Sequence, residues 1–405
     1  MKLLVPATLK EANLLFQTLD NKKECYAVFC EEALYHYPNN LDLTHTWSYT
    51  PHFDDPSIEY AHIWSGGKSL DDTCPESLKE EWSLISKKAK AFLTSFHEAK
   101  INLDDICFYD AVPKKFLIEY FSLKNKITDW VFEHYKKPKN YDFLLELTAF
   151  LNKIEKQKLN LRVDNLDFIN AKVRASFSKV RNCNDTISYT PWVTATGRLS
   201  TARDSFPILT LNKALRDVLI PRNDLFVELD YNSAELRTFL GLLGKEQPED
   251  DLHSWIQKNI FNDRFPREEV KKKVFAWLYN PKASNKKLNS YFDRDLLLKK
   301  YYTGTKTLTT YGRQIEVEEE KALNYIIQST ASDLFLTTML KIDKILENRK
   351  SFISFCVHDS LVIDFAQEDK HLIDDLVKEF SKNKFGVFKA NLSVGKSFGK
   401  MKRVT

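Results

Sequence analysis

The sequence predicts an α+β fold, and three stretches of its 405 residues carry that prediction. Leu225 to Leu229 is a short apolar run that stops at the polar Asn232-Ser233 pair, so it reads as a strand delivering Asp230 to its end and Glu235 to the start of a helix. Far downstream, SFISFCVHDSLVID reads as two apolar strands meeting at His358-Asp359-Ser360. Between these, Arg267 to Tyr279 and Val317 to Glu347 read as helices. Two carboxylates at the tips of separate strands can hold a pair of divalent ions roughly 3.5–4 Å apart, an arrangement suited to phosphoryl transfer.

Composition is that of a globular chain, with 43% hydrophobic, 29% charged and 13% aromatic residues, which argues against disorder. Sixty Lys and Arg against 56 Asp and Glu leave a net charge of +4, too small by itself to declare a nucleic-acid partner. The six cysteines show no C-x-x-C spacing, so neither a zinc ribbon nor a disulfide framework is indicated, and a reducing, cytoplasmic setting is expected. No apolar run approaches the ~18 residues of a membrane span, so no membrane partner is expected.

Residues 1–110 suggest no chemistry. Asp54, Asp55 and Glu59 stand beside Pro51 and Pro56 and read as solvated turn residues, not as a nuclease site. From Phe116 to Lys158 apolar residues recur at helical spacing among many lysines, giving a basic helical pair joined at Lys137-Pro138-Lys139. Thr194 to Ser200 is a small-residue turn presenting Arg198. The next helix, opened by Pro266 and closed by Pro281, sets Arg267, Lys271, Phe275 and Tyr279 four apart along one stripe. Two cations followed by two rings match a nucleoside triphosphate lying along that stripe. In the long helical region, Asn324 and Gln328 share a face and could donate to minor-groove acceptors. Asp369 to Phe385 is amphipathic, and a strand from Phe388 to Val394 leads to a basic tail.

From about Asn182 onward the chain resembles the DNA polymerase I family (family A DNA polymerases), and especially its short phage and viral members. The ordered motifs are TATGRLST (Thr194 to Thr201), DYNSAELR (Asp230 to Arg237), D-x-H (Asp251 to His253), R-x3-K-x3-F-x3-Y (Arg267 to Tyr279), YGR (Tyr311 to Arg313), N-x3-Q (Asn324, Gln328) and VHDS (Val357 to Ser360). The resemblance implies a right-hand polymerase fold with an antiparallel palm sheet (182–250 and 346–405), helical fingers (251–345) and a reduced helical thumb (111–181). It leaves residues 1–110 as an N-terminal region of unassigned role without an exonuclease site.

Carried over by position, the resemblance implies that Asp230, Asp359 and the Tyr231 carbonyl bind two Mg2+ ions, with Mn2+ as a possible substitute. It implies that Arg267, His253 and Lys271 grip the triphosphate, with Lys271 the proton donor to pyrophosphate. Phe275 and Tyr279 would form the nascent base-pair pocket, and Glu235 would exclude a 2′-hydroxyl. Arg198, Asn324, Gln328 and His358 would contact primer–template DNA. The implied substrates are deoxynucleoside triphosphates, and the implied enzyme is a DNA-directed DNA polymerase; it is expected to be monomeric, with possible replisome accessory proteins, and to lack proofreading, because no convincing second carboxylate cluster stands upstream of Asn182. Two positions depart from the family pattern: Asn280 stands where glycine usually follows the tyrosine, with Pro281 next, and Ser360 stands where glutamate usually follows His-Asp. A single-subunit RNA polymerase is the nearest rival, disfavoured by Glu235. A catalytically inactive binding protein is the other, disfavoured by retention of Asp230, Asp359, Arg267 and Lys271.

Overall fold

The structure is a computed structural model that describes residues 14–19, 27–36, 41–53, 55–101, 106–162, 180, 183–280 and 282–404. Asp54 and Pro281 lie outside the described residues. The chain divides into two compact units, Met1–Ala149 and Phe150–Thr405.

The first unit holds a mixed sheet that sequence patterning did not reveal, because its strands are only two to five residues long. The strands are β1 (Leu14–Thr18), β2 (Ala27–Cys30), β3 (Ala33–His36), β4 (Leu43–Thr46) and β5 (Glu59–Tyr60), in spatial order β3-β2-β1-β4-β5. The first three pair antiparallel, whereas β4 and β5 run parallel to β1. The helix Lys114–His134 packs against this sheet and shares one apolar core with Phe29, Trp47, Trp82 and Phe96 through Phe116, Phe121 and Val131. Asp55 is a turn residue, its carboxylate accepting from Ser57 N at 2.8 Å. Glu59 differs from its expected solvated turn: it sits on β5, bonded to Lys137 Nζ at 2.6 Å.

The second unit is built on a five-stranded sheet that is antiparallel throughout, as the expected α+β fold requires. In spatial order its strands are Phe352–Val357, Ser360–Phe365, Leu225–Tyr231, Ala390–Gly395 and Lys402–Arg403. Because side chains alternate along a strand, Val227, Leu229 and Tyr231 of the central strand face one side, and Glu228 and Asp230 the other. On the apolar side Tyr231 stacks on Phe380 with ring centroids 4.2 Å apart, and its hydroxyl donates to Phe380 O at 2.7 Å. Asp364 accepts from the backbone N–H groups of Arg222 and Asn223 at 2.7 and 2.8 Å, fixing where the chain enters the central strand.

Ser233 leaves the strand in the left-handed region (φ 59°), a conformation that costs a non-glycine residue about 1–3 kcal/mol and here reverses the chain into the helix Ala234–Leu242. That helix joins Leu252–Asn259 and Arg267–Tyr279 around a second core centred on Phe239, Trp277 and Phe292. The long helix Glu319–Ile345 is buried around much of its circumference, so its buried polar residues Ser329, Ser332 and Asp333 take internal partners in Tyr325 O, Gly197 O and Arg313. No described helix is long and apolar enough to cross a membrane.

Candidate active site

Antiparallel register brings the two strand-tip carboxylates together. Ser360 pairs with Asp230, so the two-residue connection His358-Asp359 stands immediately beyond the tip of the central strand's neighbour, with His358 at φ 58° to make the tight reversal. Both aspartates line one cavity of about 740 Å3 in the second unit. Burial, and then the neighbouring Asp359 charge, push the Asp230 carboxyl up to about 7 against a bond from Asn391. Burial also raises Asp359, opposed by Arg198 and His358. Two desolvated like charges facing each other form a site that a cation would relieve.

The stripe on the helix Arg267–Tyr279 faces the same cavity, with Arg267, Lys271, Phe275 and Tyr279 all in its wall. The Phe275 and Tyr279 rings lie parallel, 1° apart in plane and 5.8 Å between centroids. Arg267 is not a free cation: it forks onto Asp251, with Nε to Oδ1 at 2.9 Å and Nη2 to Oδ2 at 2.7 Å. Burial works to raise the Asp251 carboxyl, but the bonds from Arg267, Asn232 and Ser254 overcome it and hold the group below the usual range. His253 is buried against Phe275, and burial lowers it to about 4, so it is neutral at pH 7. Its Nδ1 has no hydrogen-bond partner among the described residues.

Glu235 is clamped from two sides, its Oε1 accepting from Arg198 and its Oε2 from the Tyr279 hydroxyl. Arg198 is thereby engaged with a protein carboxylate, although the resemblance assigns it to DNA. The loop carrying it rests on residues that sequence reasoning missed. Arg313 forks onto buried Asp333, with Nη2 to Oδ1 at 2.6 Å and Nε to Oδ2 at 3.2 Å. Gly197 lies on that guanidinium so closely that a Cβ there would fall 2.3 Å from Nη2, and its φ of 72° also favours glycine. Ser332 Oγ donates to Gly197 O at 2.9 Å. Only the YGR triplet hinted at this platform, because Asp333 reads in sequence as one more polar residue on a helix.

Arg237, fully buried, ties the strand end to the next loop by donating to Asn232 O, Pro248 O and Asp250 O, each at 2.8 Å. Asn232 in turn donates to Asp251 Oδ2 at 2.7 Å and accepts from Leu252 N at 3.0 Å, which places Asp251 and His253. Tyr231 lines the cavity while its side chain is turned into the core, leaving its backbone on the cavity side. His358 is exposed and in the wall, whereas Asn324 and Gln328 are half-buried on the long helix and outside it; that helix contributes Ala331, Ser332, Phe335 and Leu336 instead.

Among the described residues no three His, Cys, Asp or Glu side chains converge as a metal cage. An all-oxygen pair of carboxylates nevertheless suits Mg2+, which keeps several waters and is typically bound through one or two carboxylates together with substrate phosphates.

Residues 282–401 match the family described as DNA polymerase family A. DNA polymerase I of Caldicellulosiruptor bescii is 26% identical over 243 residues, covering 47% of this chain and 29% of that protein. The thermostable DNA polymerase I of Thermus aquaticus is 27% identical over 237 residues, covering 46% of this chain and 28% of that protein. The chain thus spans under a third of the length of these curated relatives. Among solved structures, the polymerase domain of Pol1 from M. smegmatis, in complex with DNA primer–template and dNTP, superposes with a TM-score of 0.59 at 14% identity, covering 85% of this chain and 82% of that one. That likeness is one of fold.

The elevated Asp230 carboxyl has a measurable consequence. Its ordinary value is 3.8 and its folded value about 7, so the folded state holds the proton longer and loses stability as pH rises between those values. In metal-free protein, Asp230→Asn is expected to raise unfolding free energy by on the order of 2 kcal/mol at pH 8, with the gain vanishing below about pH 4. Chemical denaturation with chelator present at both pH values checks it, and a pH-independent difference contradicts it.

Proposed function

We propose that this chain, a member of DNA polymerase family A, is a template-directed DNA polymerase that adds deoxynucleoside triphosphates to a primer 3′ end by two-metal phosphoryl transfer, in the setting of phage or viral replication. The observation that carries the reading is the shared cavity: two like-charged strand-tip carboxylates face a helix stripe of two cations and two parallel rings. Phosphoryl transfer asks for in-line positioning and charge stabilisation more than for a covalent partner, and carboxylates opposite two cations suit that demand.

In this reading Asp230, Asp359 and the Tyr231 carbonyl hold two Mg2+ ions. Bound there, Mg2+ would supply Lewis-acid stabilisation of the attacking and leaving oxygens. Lys271, exposed in the wall, reaches the β- and γ-phosphates and gives the leaving group its proton. Arg267 meets the triphosphate from the Asp251 fork, so Asp251 orients it until the ligand arrives. Phe275 and Tyr279 pack the incoming base, and His253, neutral behind Phe275, donates to the triphosphate. Arg198, Asn324, Gln328 and His358 contact primer–template DNA. In this reading the palm (182–250 and 346–405) and the fingers (251–345) each contribute residues to the cavity wall, and 111–181 is a reduced thumb.

Asp230→Ala and Asp359→Ala are each expected to abolish primer extension, by at least about a thousandfold, with primer–template affinity nearly unchanged, because metal ligands and not DNA contacts are removed. Extension and gel-shift assays on the same preparations read both quantities. Robust extension by either variant sinks the assignment.

Glu235 supports the choice of deoxynucleotides. Held between Arg198 and Tyr279, its carboxylate fills the volume beside the sugar, and a 2′-hydroxyl could enter only by breaking that clamp. Glu235→Ala should therefore relax the ratio of kcat/KM values for a deoxynucleotide and its ribonucleotide by roughly tenfold or more, about 1.4 kcal/mol. An unchanged ratio removes Glu235 as the gate.

Absence of proofreading belongs to the same reading. On β1, the middle strand of the first sheet, the buried polar side chain is the neutral Gln17, spent on Asn125 Oδ1 at 3.0 Å and Thr128 Oγ1 at 3.1 Å. A labelled mispaired primer incubated with Mg2+ and no nucleotides should stay full length, and shortening that persists in Asp230→Ala would reveal a nuclease.

A further inference from the structure

The central strand's Asp230 has two cross-strand neighbours on its own face, Ser360 on one side and Asn391 on the other. Asn391 touches the carboxylate, its Nδ2 donating to Asp230 Oδ2 at 3.1 Å. The other end of the same amide is fixed as well, since Arg403 Nη2 donates to Asn391 Oδ1 at 2.5 Å. Arg403 comes from the edge strand, paired opposite Ser393, and both Asn391 and Arg403 lie in the cavity wall.

The chemistry of the three groups fixes the direction of this chain. A guanidinium has only donors, so it must meet the oxygen of the amide. The amide is then compelled to turn its NH2 towards Asp230, which as a carboxylate only accepts. An asparagine lacking Arg403 could flip at little cost and present its oxygen to the carboxylate, repelling it. The bond from Asn391 to Oδ2 restrains rotation of the Asp230 carboxylate, and Oδ1 is the oxygen it does not occupy.

We propose that Asn391, oriented by Arg403, is the positioning residue of Asp230, and that this relay pre-sets the carboxylate for a divalent ion. The inference rests on the polymerase reading of the site but concerns two residues which that reading does not use. Outer partners that orient a metal-binding carboxylate typically contribute 10- to 100-fold to affinity or activity.

The test is Mn2+ binding followed by electron paramagnetic resonance on the full chain without DNA or nucleotide, beside the Mg2+ dependence of single-nucleotide incorporation. Asn391→Leu keeps the side chain's size and removes both hydrogen bonds; it should weaken Mn2+ binding by roughly tenfold. It should raise the Mg2+ concentration for half-maximal rate in parallel, while the KM for nucleotide at saturating Mg2+ moves less than about twofold, a split that general loosening of the fold would not give. Arg403 is exposed, so Arg403→Gln leaves the core intact and should weaken Mn2+ binding in the same direction, with Arg403→Lys restoring most of it. Unchanged Mn2+ binding in Asn391→Leu, alongside loss in Asp230→Ala, overturns the relay and leaves the polymerase reading standing. A wild type whose Mn2+ binding is indifferent to Asp230→Ala overturns both.

Discussion

Ser360 opposite Asp230 is the constraint on which the second unit depends. The side-chain period of a strand is two, so a slip of one residue in this ladder would turn Asp230 into the apolar layer and bring Leu229 or Tyr231 to the cavity. The apolar alternation of Val227, Leu229 and Tyr231 against Leu361 and Ile363 prevents the slip, because a slipped strand would expose these side chains. Core packing therefore sets the geometry of the carboxylates. The two-residue turn at His358-Asp359 then fixes the second carboxylate relative to the first, at the cost of a left-handed residue and of two like charges in a desolvated wall.

The facing wall is tied to the same strand end by hydrogen bonds running from Arg237 through Asn232 and Asp251 to Arg267. Arg237 and Asn232 are buried, so removing either strands a polar partner of the other. Arg267, the cation proposed to meet a triphosphate, is partnered by Asp251, so binding there would be an exchange of acceptors. On the other flank, the Arg313–Asp333 pair supports Gly197 and thereby holds Arg198 against Glu235. The Glu235 carboxylate, itself on the strand-following helix, is thus fixed by groups from the small-residue loop and the cation–ring helix together.

Much of this was legible in the sequence where a local rule sufficed. The apolar run ending at Asn232, the hairpin around His358-Asp359, and Pro266 before a four-residue stripe each state a strand, a turn or a helix start through spacing alone. Contacts made by distant residues were not legible. Nothing near Asn391 marks it as a neighbour of Asp230, since the pairing joins residues 161 apart in sequence. Asp251 was noted for its place beside His253, and its fork with Arg267 emerged only when two helices were packed. The first unit's sheet escaped for another reason: strands of two to five residues carry too few alternations to register as a period.

The claim that Asp230 and Asp359 together form the metal-dependent centre of a polymerase is tested most directly by anomalous scattering from Mn2+ in a crystal of the chain bound to a primer–template with a non-extendable 3′ end and a matching deoxynucleotide. The account predicts Mn2+ about 2.1 Å from oxygens of both aspartates and of the nucleotide's phosphates. A ternary complex in which Mn2+ touches neither aspartate, or in which the triphosphate lies away from Lys271, would contradict it.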